Sequence, residues 1–295
     1  MPVLEEPVTV SIDTILLATD FSMVSEKATA YARGMSLRFA SSVEVAHVFD
    51  PAAAILSEEA LLGLPVGDRV RVQNDRLRDL CHTLTREGVT THAQLSQAHY
   101  PARAILALAR STDAGLIVTG TRSRNGIERL FLGSTAEKLI RQSACPVLTV
   151  GPSARWPARG PLVFRNIVFA TDLSAQSLKA LPYALSFAED SGAHLYLCMV
   201  VEEQSLTPYQ REHLTQGFRE GMQSLIPERA RDWCTPECIV EYGDAATSIL
   251  AAAQRLDAGL IVLGARQSSF WLSYLEHGLT PNIVANSVCP VLTIC

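Results

Sequence analysis

The sequence lacks the features that mark membrane, secreted and nucleic-acid-binding proteins. No apolar run approaches the roughly 20 residues of a membrane-spanning helix. Residues 1–6 (MPVLEE) carry two acids and no base, unlike a secretory signal. The 295 residues include 25 Lys and Arg against 30 Asp and Glu, a formal charge of −5, and no long basic stripe. We therefore expect a cytoplasmic protein with no membrane and no nucleic-acid partner.

The signatures of common catalytic sites are also missing. There is no G-x-x-x-x-G-K-[ST] loop, so a conventional kinase or motor ATPase is not expected. There is no G-x-S-x-G elbow and no recognisable nucleophilic triad. Cys234 and Cys238 are the one close cysteine pair, but no paired histidines accompany them, which favours a free or oxidisable pair over a zinc site. We expect no catalytic residues and no metal ligands in the chain.

Three segments of the chain occur twice and in the same order. They are ILLATDFS at 15–22 and IVFATDLS at 167–174, DAGLIVTGTR at 113–122 and DAGLIVLGAR at 257–266, and CPVLTV at 145–150 and CPVLTI at 289–294. Such a repeat predicts two copies of one domain. We place them at residues 1–151 and 163–295, joined by a proline-rich linker at residues 152–162.

Alternating apolar runs and helical patterns predict a doubly wound parallel sheet in each copy. The strands of the first copy are predicted at 15–19, 43–48, 90–95, 116–119 and 147–150. Ligands of such sheets bind beyond the carboxyl ends of the strands, where the strand order reverses. With the order 3-2-1-4-5, the first and fourth strands meet at that point. Thr19–Asp20 would then face Gly120.

The stretch at 116–135 (LIVTGTRSRNGIERLFLGST) is organised as a strand, a loop that opens at Gly120, and a helix start at Gly133–Ser134. The first amides of a helix lack partners and lie at its positive end, so they can bind a phosphate. Ser134 and Glu137 also fit a capping box, which would satisfy these amides without a ligand. Asp20 likewise could accept from a ribose hydroxyl or cap the helix that follows it. The residues alone leave both interpretations open.

Together these motifs resemble the universal stress protein family, over essentially the whole chain and as a tandem pair. Nucleotide-binding members of that family carry Gly, two residues, Gly, nine residues, then Gly-Ser or Gly-Thr. Here Ser123 replaces the second glycine; it would either close the loop or donate to a phosphate. The resemblance implies an ATP site in the first domain, with any magnesium held by the phosphates. The implied site residues are Thr19, Asp20, Val48, Gly120, Arg122, Ser123, Gly133, Ser134 and Thr135.

The second copy departs from this pattern. Counting from Gly264, Gln267 takes the place of Ser123, and His277–Gly278 take the place of Gly133–Ser134. The loop at 121–132 has three arginines and one glutamate, a formal +2, whereas the loop at 265–276 has one arginine and one glutamate. We expect the first domain to be the better nucleotide site and the second to have a degenerate phosphate loop. Because the second copy keeps Asp172, binding of adenosine or another ligand in the second domain stays an open alternative.

Two histidines and the last strands complete the predictions. His47 is interpreted as a packed strand residue, and His99 as a surface-loop residue. The strands at 147–150 and 291–294 are apolar on both faces, and an unpaired edge invites pairing. The resemblance implies that they pair within the chain as a pseudo-dimer; a further homodimer stays open.

The functional hypothesis is a stress-response regulator or sensor that binds ATP or a related adenine nucleotide, hydrolyses it slowly at most, and acts on an unidentified protein partner. The connection at 49–67 would be ordered as a flap by binding. The alternative is a nucleotide-free interaction scaffold. A low-activity ATP-using enzyme is a weaker alternative.

Overall fold

The computed structural model describes residues 10–52, 63–121, 132–203, 205–264 and 278–295. The elements of the first half are β1 Thr14–Ala18, α1 Met23–Phe39, β2 Ser42–Phe49, α2 Val66–Arg86, β3 Thr91–Gln97, α3 Pro101–Ser111, β4 Leu116–Gly120, α4 Ser134–Gln142 and β5 Val147–Val150. The elements of the second half are β6 Asn166–Ala170, α5 Ala175–Leu178, α6 Leu181–Ser191, β7 His194–Val201, α7 Pro208–Gln223, β8 Thr235–Tyr242, α8 Ala245–Arg255, β9 Leu260–Gly264, α9 Leu279–Asn286 and β10 Val291–Ile294.

Local chemistry fixes the ends of these elements. Ser22 is the N-cap of α1, and its hydroxyl accepts from the Ser25 amide at 3.3 Å. Ala40 ends α1 in the left-handed conformation, with φ at 56°. Pro101 opens α3, where the missing N–H would have had no helical partner. These local signals set where α1 begins and ends and where α3 begins.

All ten strands form one sheet in the order β3-β2-β1-β4-β5-β10-β9-β6-β7-β8. Each half therefore has the predicted order 3-2-1-4-5, and its strands are parallel. The halves meet where β5 pairs antiparallel with β10, with Leu148 opposite Leu292. This pairing confirms the intrachain pseudo-dimer and leaves β3 and β8 at the two outer edges.

Two apolar clusters, one on each face of the sheet, extend through both halves. Ile15 and Leu17 of β1 belong to one cluster, and Leu16 belongs to the other, as alternation along a strand requires. Both clusters include residues of β5 or β10 and of the second half. The halves thus share their cores across the β5–β10 contact.

The linker is packed against the protein rather than extended into solvent. Ala154 and Leu162 are buried, with 1% and 8% of their surfaces exposed. The Arg155 amide donates to the Val288 carbonyl at 2.9 Å, and the Leu162 amide donates to the Gly34 carbonyl at 2.8 Å. Its proline content predicted a connection without periodic structure, but composition alone does not show which surface such a segment contacts.

Candidate functional site

The carboxyl ends of β1 and β4 lie side by side, as the fold rules predict. Ala18 is the register partner of Thr119, so Thr19–Asp20 and Gly120 follow neighbouring strands. Because α4 joins parallel strands, its first residues, Gly133, Ser134 and Thr135, lie at the same edge. Val48, near the end of β2, is partly buried against one core cluster.

Two of the predicted site residues, Arg122 and Ser123, lie outside the described residues. So do Gln267 and His277 of the second half, and most of the predicted flap, residues 53–62. The interpretation of Ser123 therefore stays a prediction.

Asp20 stabilises the turn between β1 and α1. Its Oδ1 accepts from the Ser22 amide at 3.0 Å and from the Ser25 hydroxyl at 2.5 Å. The Thr19 hydroxyl accepts from the Phe21 amide at 3.0 Å, which holds Phe21 at a φ of 58°. This is a capping and turn role for one carboxylate oxygen of Asp20. Two of these hydrogen bonds recur in the second half, where the Leu173 amide donates to the Thr171 hydroxyl, the Ser174 amide donates to Asp172, and Leu173 has a φ of 59°. There the Ser174 hydroxyl, not that of Ser177, donates to Asp172 at 2.5 Å.

His47 is a packed strand residue, as predicted, and its ring lies against this turn. Its Nδ1 is 2.8 Å from the Thr19 carbonyl, to which it donates, and its ring centroid is 4.7 Å from that of Phe21. Burial lowers the pKa of His47, partly opposed by the Thr19 hydrogen bond and the charge of Asp20; the charge of Arg76 lowers it further. The imidazole is therefore neutral at pH 7 and is held in one orientation.

Gly120 is packed closely against the start of α1. A Cβ atom there would lie 3.0 Å from the Val24 carbonyl carbon and 3.1 Å from the Ser25 amide nitrogen. The equivalent Gly264 is closer still, 2.6 Å from the Ser177 Cα. Glycine at the end of the fourth strand thus lets the helix after the first strand approach in both halves, whatever the ligand.

The helix start at α4 differs from the capping-box interpretation. Gly133, with φ −63° and ψ 143°, is the N-cap, and no described side chain caps the first turn. Ser134 is the first helical residue, so its hydroxyl does not act as an N-cap. Glu137 pairs with Arg141 at 3.1 Å instead of reaching back. No described side chain therefore competes with a ligand for these amides.

In the second half, α9 starts one residue later than the sequence count predicts. Its N-cap is Gly278, with φ −59° and ψ 149°. The helix start therefore aligns Gly278 with Gly133, not with Ser134 as the count from Gly264 had it. The count assumed equal loop lengths, but the N-cap Gly278 lies 14 positions after Gly264, whereas Gly133 lies 13 positions after Gly120.

Acidic side chains surround the corresponding edge of the second half. Glu202 follows β7 and accepts from the Ala245 amide at 3.2 Å, and Asp244 caps α8 through the Thr247 amide at 2.8 Å. In the first half, α3 starts without a side-chain cap at Tyr100. Asp50 stands at the place of Glu202 in the first half, so Asp244 is the added acid of the second half and would oppose a polyanion there.

The remaining sequence candidates are accounted for as follows. His99 is on the surface, 68% exposed, and pairs with Asp50 at 3.1 Å. All seven cysteines, Cys234 and Cys238 included, are free thiols. Among the described residues, no three His, Cys, Asp or Glu side chains are grouped to hold a metal, and no helix is long and apolar enough to cross a membrane.

Two residues of the turn escaped the sequence analysis. Ser25 donates to Asp20, and Phe21 packs on His47. Ser177 has the same sequence spacing from Asp172, but its hydroxyl contacts the Thr171 hydroxyl and the Ser174 carbonyl instead, so the repeat did not indicate the bond of Ser25 to Asp20. Nothing in the sequence showed that Phe21 has a positive φ, which β-turns assign to glycine or asparagine more often.

Comparison with known proteins gives the same result for both halves. A family model described as the universal stress protein family matches residues 11–151 and again residues 164–294. A universal stress protein of Thermus aquaticus is 35% identical over 141 residues, 46% of this chain and 97% of that protein. One of Methanocaldococcus jannaschii is 30% identical over 144 residues, 46% of this chain and 80% of that protein.

Solved structures match the chain over its whole length. A universal stress protein from Archaeoglobus fulgidus DSM 4304 has a TM-score of 0.70 at 18% identity and covers 95% of each chain. A protein of unknown function from Pseudomonas aeruginosa PAO1 has a TM-score of 0.64 at 17% identity, over 98% of this chain and 94% of that one. These likenesses show the fold.

Proposed function

Because this chain belongs to the universal stress protein family, we propose that it is a cytoplasmic stress-response regulator or sensor whose first domain binds ATP or a related adenine nucleotide. The adenosine lies against Thr19, Asp20 and Val48. The phosphates lie at Gly120, the loop with Arg122 and Ser123, and the start of α4. Magnesium, where present, is held by the phosphates, and the bound protein acts on an unidentified protein partner.

The observation that carries this proposal is the start of α4, where the N-cap Gly133 has no side chain to bond the first-turn amides. No described side chain accepts from its first-turn amides, and unpaired amides at the positive end of a helix attract an anion. Hydrogen bonds to a charged group contribute about 1.5–3 kcal/mol each. A triphosphate placed there would satisfy these donors.

The two halves differ in what they offer a polyanion. Both α4 and α9 start at a glycine N-cap, so the His277 side chain does not exclude a phosphate from the start of α9. The difference is in charge. Each half has an acid after its second strand, Asp50 and Glu202, but Asp244 caps α8 where α3 has Tyr100, and the loop at 121–132 has a formal +2. We therefore assign the nucleotide to the first half.

Hydrolysis is proposed to be slow at most. Asp20 already accepts from Ser22 and Ser25 through Oδ1, and the imidazole of His47 is buried and donates to Thr19. Neither group is arranged as a general base for an attacking water. The protein therefore acts through the bound state of the nucleotide.

Titration calorimetry and thermal unfolding with ATP and magnesium test the proposal. At 100 times the dissociation constant, ATP should stabilise the fold by about 2.7 kcal/mol. Gly133→Val should abolish the effect, because the N-cap geometry suits valine but its side chain blocks the amides. Gly278→Val is the matched control, since Gly278 has the same geometry and, among the described residues, its Cβ position is near the Pro281 ring alone, at 3.5 Å.

Four outcomes would change the assignment. Binding that survives Gly133→Val would refute the position of the phosphates. Binding lost only in Gly278→Val would move the site to the second half. Protein that is purified without nucleotide and shows no heat with ATP would favour the nucleotide-free scaffold, whereas steady phosphate release that a single substitution removes would favour an enzyme.

A further inference from the structure

Helix α1 contacts the candidate site at its start and the rest of the molecule along one side. Ser25, in its first turn, donates to Asp20 at 2.5 Å. Gly120 packs so closely on Val24 that a Cβ atom there would lie 3.0 Å from the Val24 carbonyl carbon. A displacement of the backbone at either Asp20 or Gly120 must therefore displace the first turn of α1.

The next two turns of α1 hold the linker. Lys27 Nζ donates to the Pro152 carbonyl at 2.6 Å and to the Ala154 carbonyl at 2.8 Å. The Tyr31 hydroxyl donates to the Arg155 carbonyl at 2.9 Å. On its other side the linker is bound to the second half, because the amide of the same Arg155 donates to the Val288 carbonyl.

The last turns of α1 continue the same contact. The Gly34 carbonyl accepts from the Leu162 amide at 2.8 Å, and a Cβ atom on Gly34 would lie 3.0 Å from the Leu162 Cβ. Arg38 Nε is 2.5 Å from Asp190 Oδ2 of α6 in the second half. Lys27, Tyr31, Gly34 and Arg38 are spaced by four, three and four residues and so share one side of α1.

The equivalent helix of the second half is broken. There α5 ends at Leu178 and α6 starts at Leu181. Pro182, in the first turn of α6, has no N–H to donate to the Leu178 carbonyl, so the helical hydrogen bonds are interrupted here, although Lys179 and Ala180 keep helical backbone angles. The residue at the same place in α1 is Ala30, and α1 runs unbroken for 17 residues. Only the first half has a continuous helix between its site and the contact of the two halves.

We propose that α1 couples the candidate site of the first half to the linker and the second half, and that the second half has no matching route. The proposal rests on the proposed function for the nature of the ligand. Occupancy of the site shifts the first turn of α1, and the unbroken helix carries the shift to the contacts of Lys27 and Tyr31. The hydrogen bonds between α1 and the linker therefore change in strength when a ligand occupies the site.

Amide hydrogen exchange at Arg155 and Leu162 reports this coupling without any ligand. The methyl group added by Gly120→Ala displaces the first turn of α1. Hydrogen exchange of both amides should then be roughly ten-fold faster, measured relative to amides of β7. Gly264→Ala pushes harder on α5, because its Cβ would lie 2.6 Å from the Ser177 Cα. It controls for general destabilisation and should leave both amides within roughly two-fold. If Gly120→Ala does not fold, Ser25→Ala removes the bond to Asp20 without added volume and is measured instead.

Ala30→Pro introduces the break of the second half into α1. In wild-type protein, saturating ATP should change exchange at Arg155 and Leu162 by several-fold. In Ala30→Pro, ATP should still give binding heat, but the two amides should no longer respond.

Each negative result would reject a different part of the proposal. Linker amides that are unaffected by Gly120→Ala, or accelerated as much by Gly264→Ala, would reject the coupling. An ATP response that persists in Ala30→Pro would reject α1 as its route. Absence of binding heat with wild-type protein would reject the nucleotide proposal, and the Gly120→Ala arm would still decide the coupling.

Discussion

The Thr293 hydroxyl donates to the Val147 carbonyl at 3.2 Å, across the contact of β5 and β10. Thr149 has the same place in the repeat, but its hydroxyl has no hydrogen-bond partner among the residues that the structure describes, although it is completely buried. The two sides of the pseudo-dimer contact are thus alike in backbone and different in hydrogen bonding.

Thr149→Val should stabilise the protein by about 1 kcal/mol, because it replaces a buried unsatisfied hydroxyl with a methyl group of the same shape. Thr293→Val is the matched control and should be neutral or destabilising, because it removes the bond to Val147. Urea unfolding at pH 7 measures both changes. Equal effects of the two variants would show that the hydroxyl of Thr149 is satisfied in solution.

Gly151→Ala should destabilise the contact of the two halves by about 1–3 kcal/mol, as overpacking in a core does. A Cβ atom at Gly151 would lie 2.6 Å from the Val284 carbonyl oxygen of α9. Gly217, inside α7, has no neighbour within 4 Å of its Cβ position among the described residues. Gly217→Ala should therefore stabilise α7 by up to about 1 kcal/mol. Thermal unfolding measures the stability of both variants. A Gly151→Ala protein as stable as wild type would contradict the packing argument.

The sequence predicted the fold because its signals are local. Apolar runs, Pro101 at a helix start and a repeated CPVLT ending depend on neighbouring residues, and the repeat shows every signal twice. The sequence also contains a local signal for the break between α5 and α6, because Pro182 stands where the first half has Ala30.

The contacts around the candidate site could not be predicted in the same way. Gly120 was interpreted through its place in a phosphate loop, but its need for glycine comes from the approach of Val24 and Ser25, almost a hundred residues earlier. The start of α9 moved by one residue relative to the repeat, which changed the partner of Gly133. Both depend on how distant segments pack, and a single sequence carries no direct signal of that packing.

Alkaline solution should weaken the fold through its buried thiols. Burial raises the pKa of Cys289 to about 11, even though the Ser287 hydroxyl and Arg155 oppose the shift. The folded state therefore keeps a proton that the unfolded chain releases from pH 9 upward, and the free energy of unfolding falls as pH rises from 9 to 11. For this one thiol the loss is on the order of 2 kcal/mol.

Urea titrations at pH 8, 9, 10 and 11 measure this loss. Cys289→Ala should be less stable at pH 8 but should lose less stability with rising pH, since one titrating group is gone. Cys198, whose pKa burial raises to about 12, stays in both proteins and maintains part of the slope. Identical slopes for variant and wild type would mean that Cys289 ionises normally in the folded state.

Acid should weaken the fold through His47. Its pKa is lowered below the ordinary 6.5, chiefly by burial, so the unfolded chain takes up a proton before the folded state does. The stabilisation is complete above pH 6.5 and is lost as pH falls through the lowered pKa. His47→Met gives the first half the residue that the second half has at Met199, where the turn forms without an imidazole. The variant should keep the turn and lose the acid dependence contributed by this residue.

Unfolding between pH 7 and 5 compares wild type, His47→Met and His99→Gln. His99 is exposed, so its replacement should keep the acid slope that His47 produces. Because His47 lies between Thr19 and Phe21, calorimetry with ATP on His47→Met also separates its two roles. Unchanged affinity with a reduced acid slope would make His47 a residue of stability alone. Reduced affinity in a variant with an intact turn would mean that the oriented imidazole contributes to the wall of the nucleotide site.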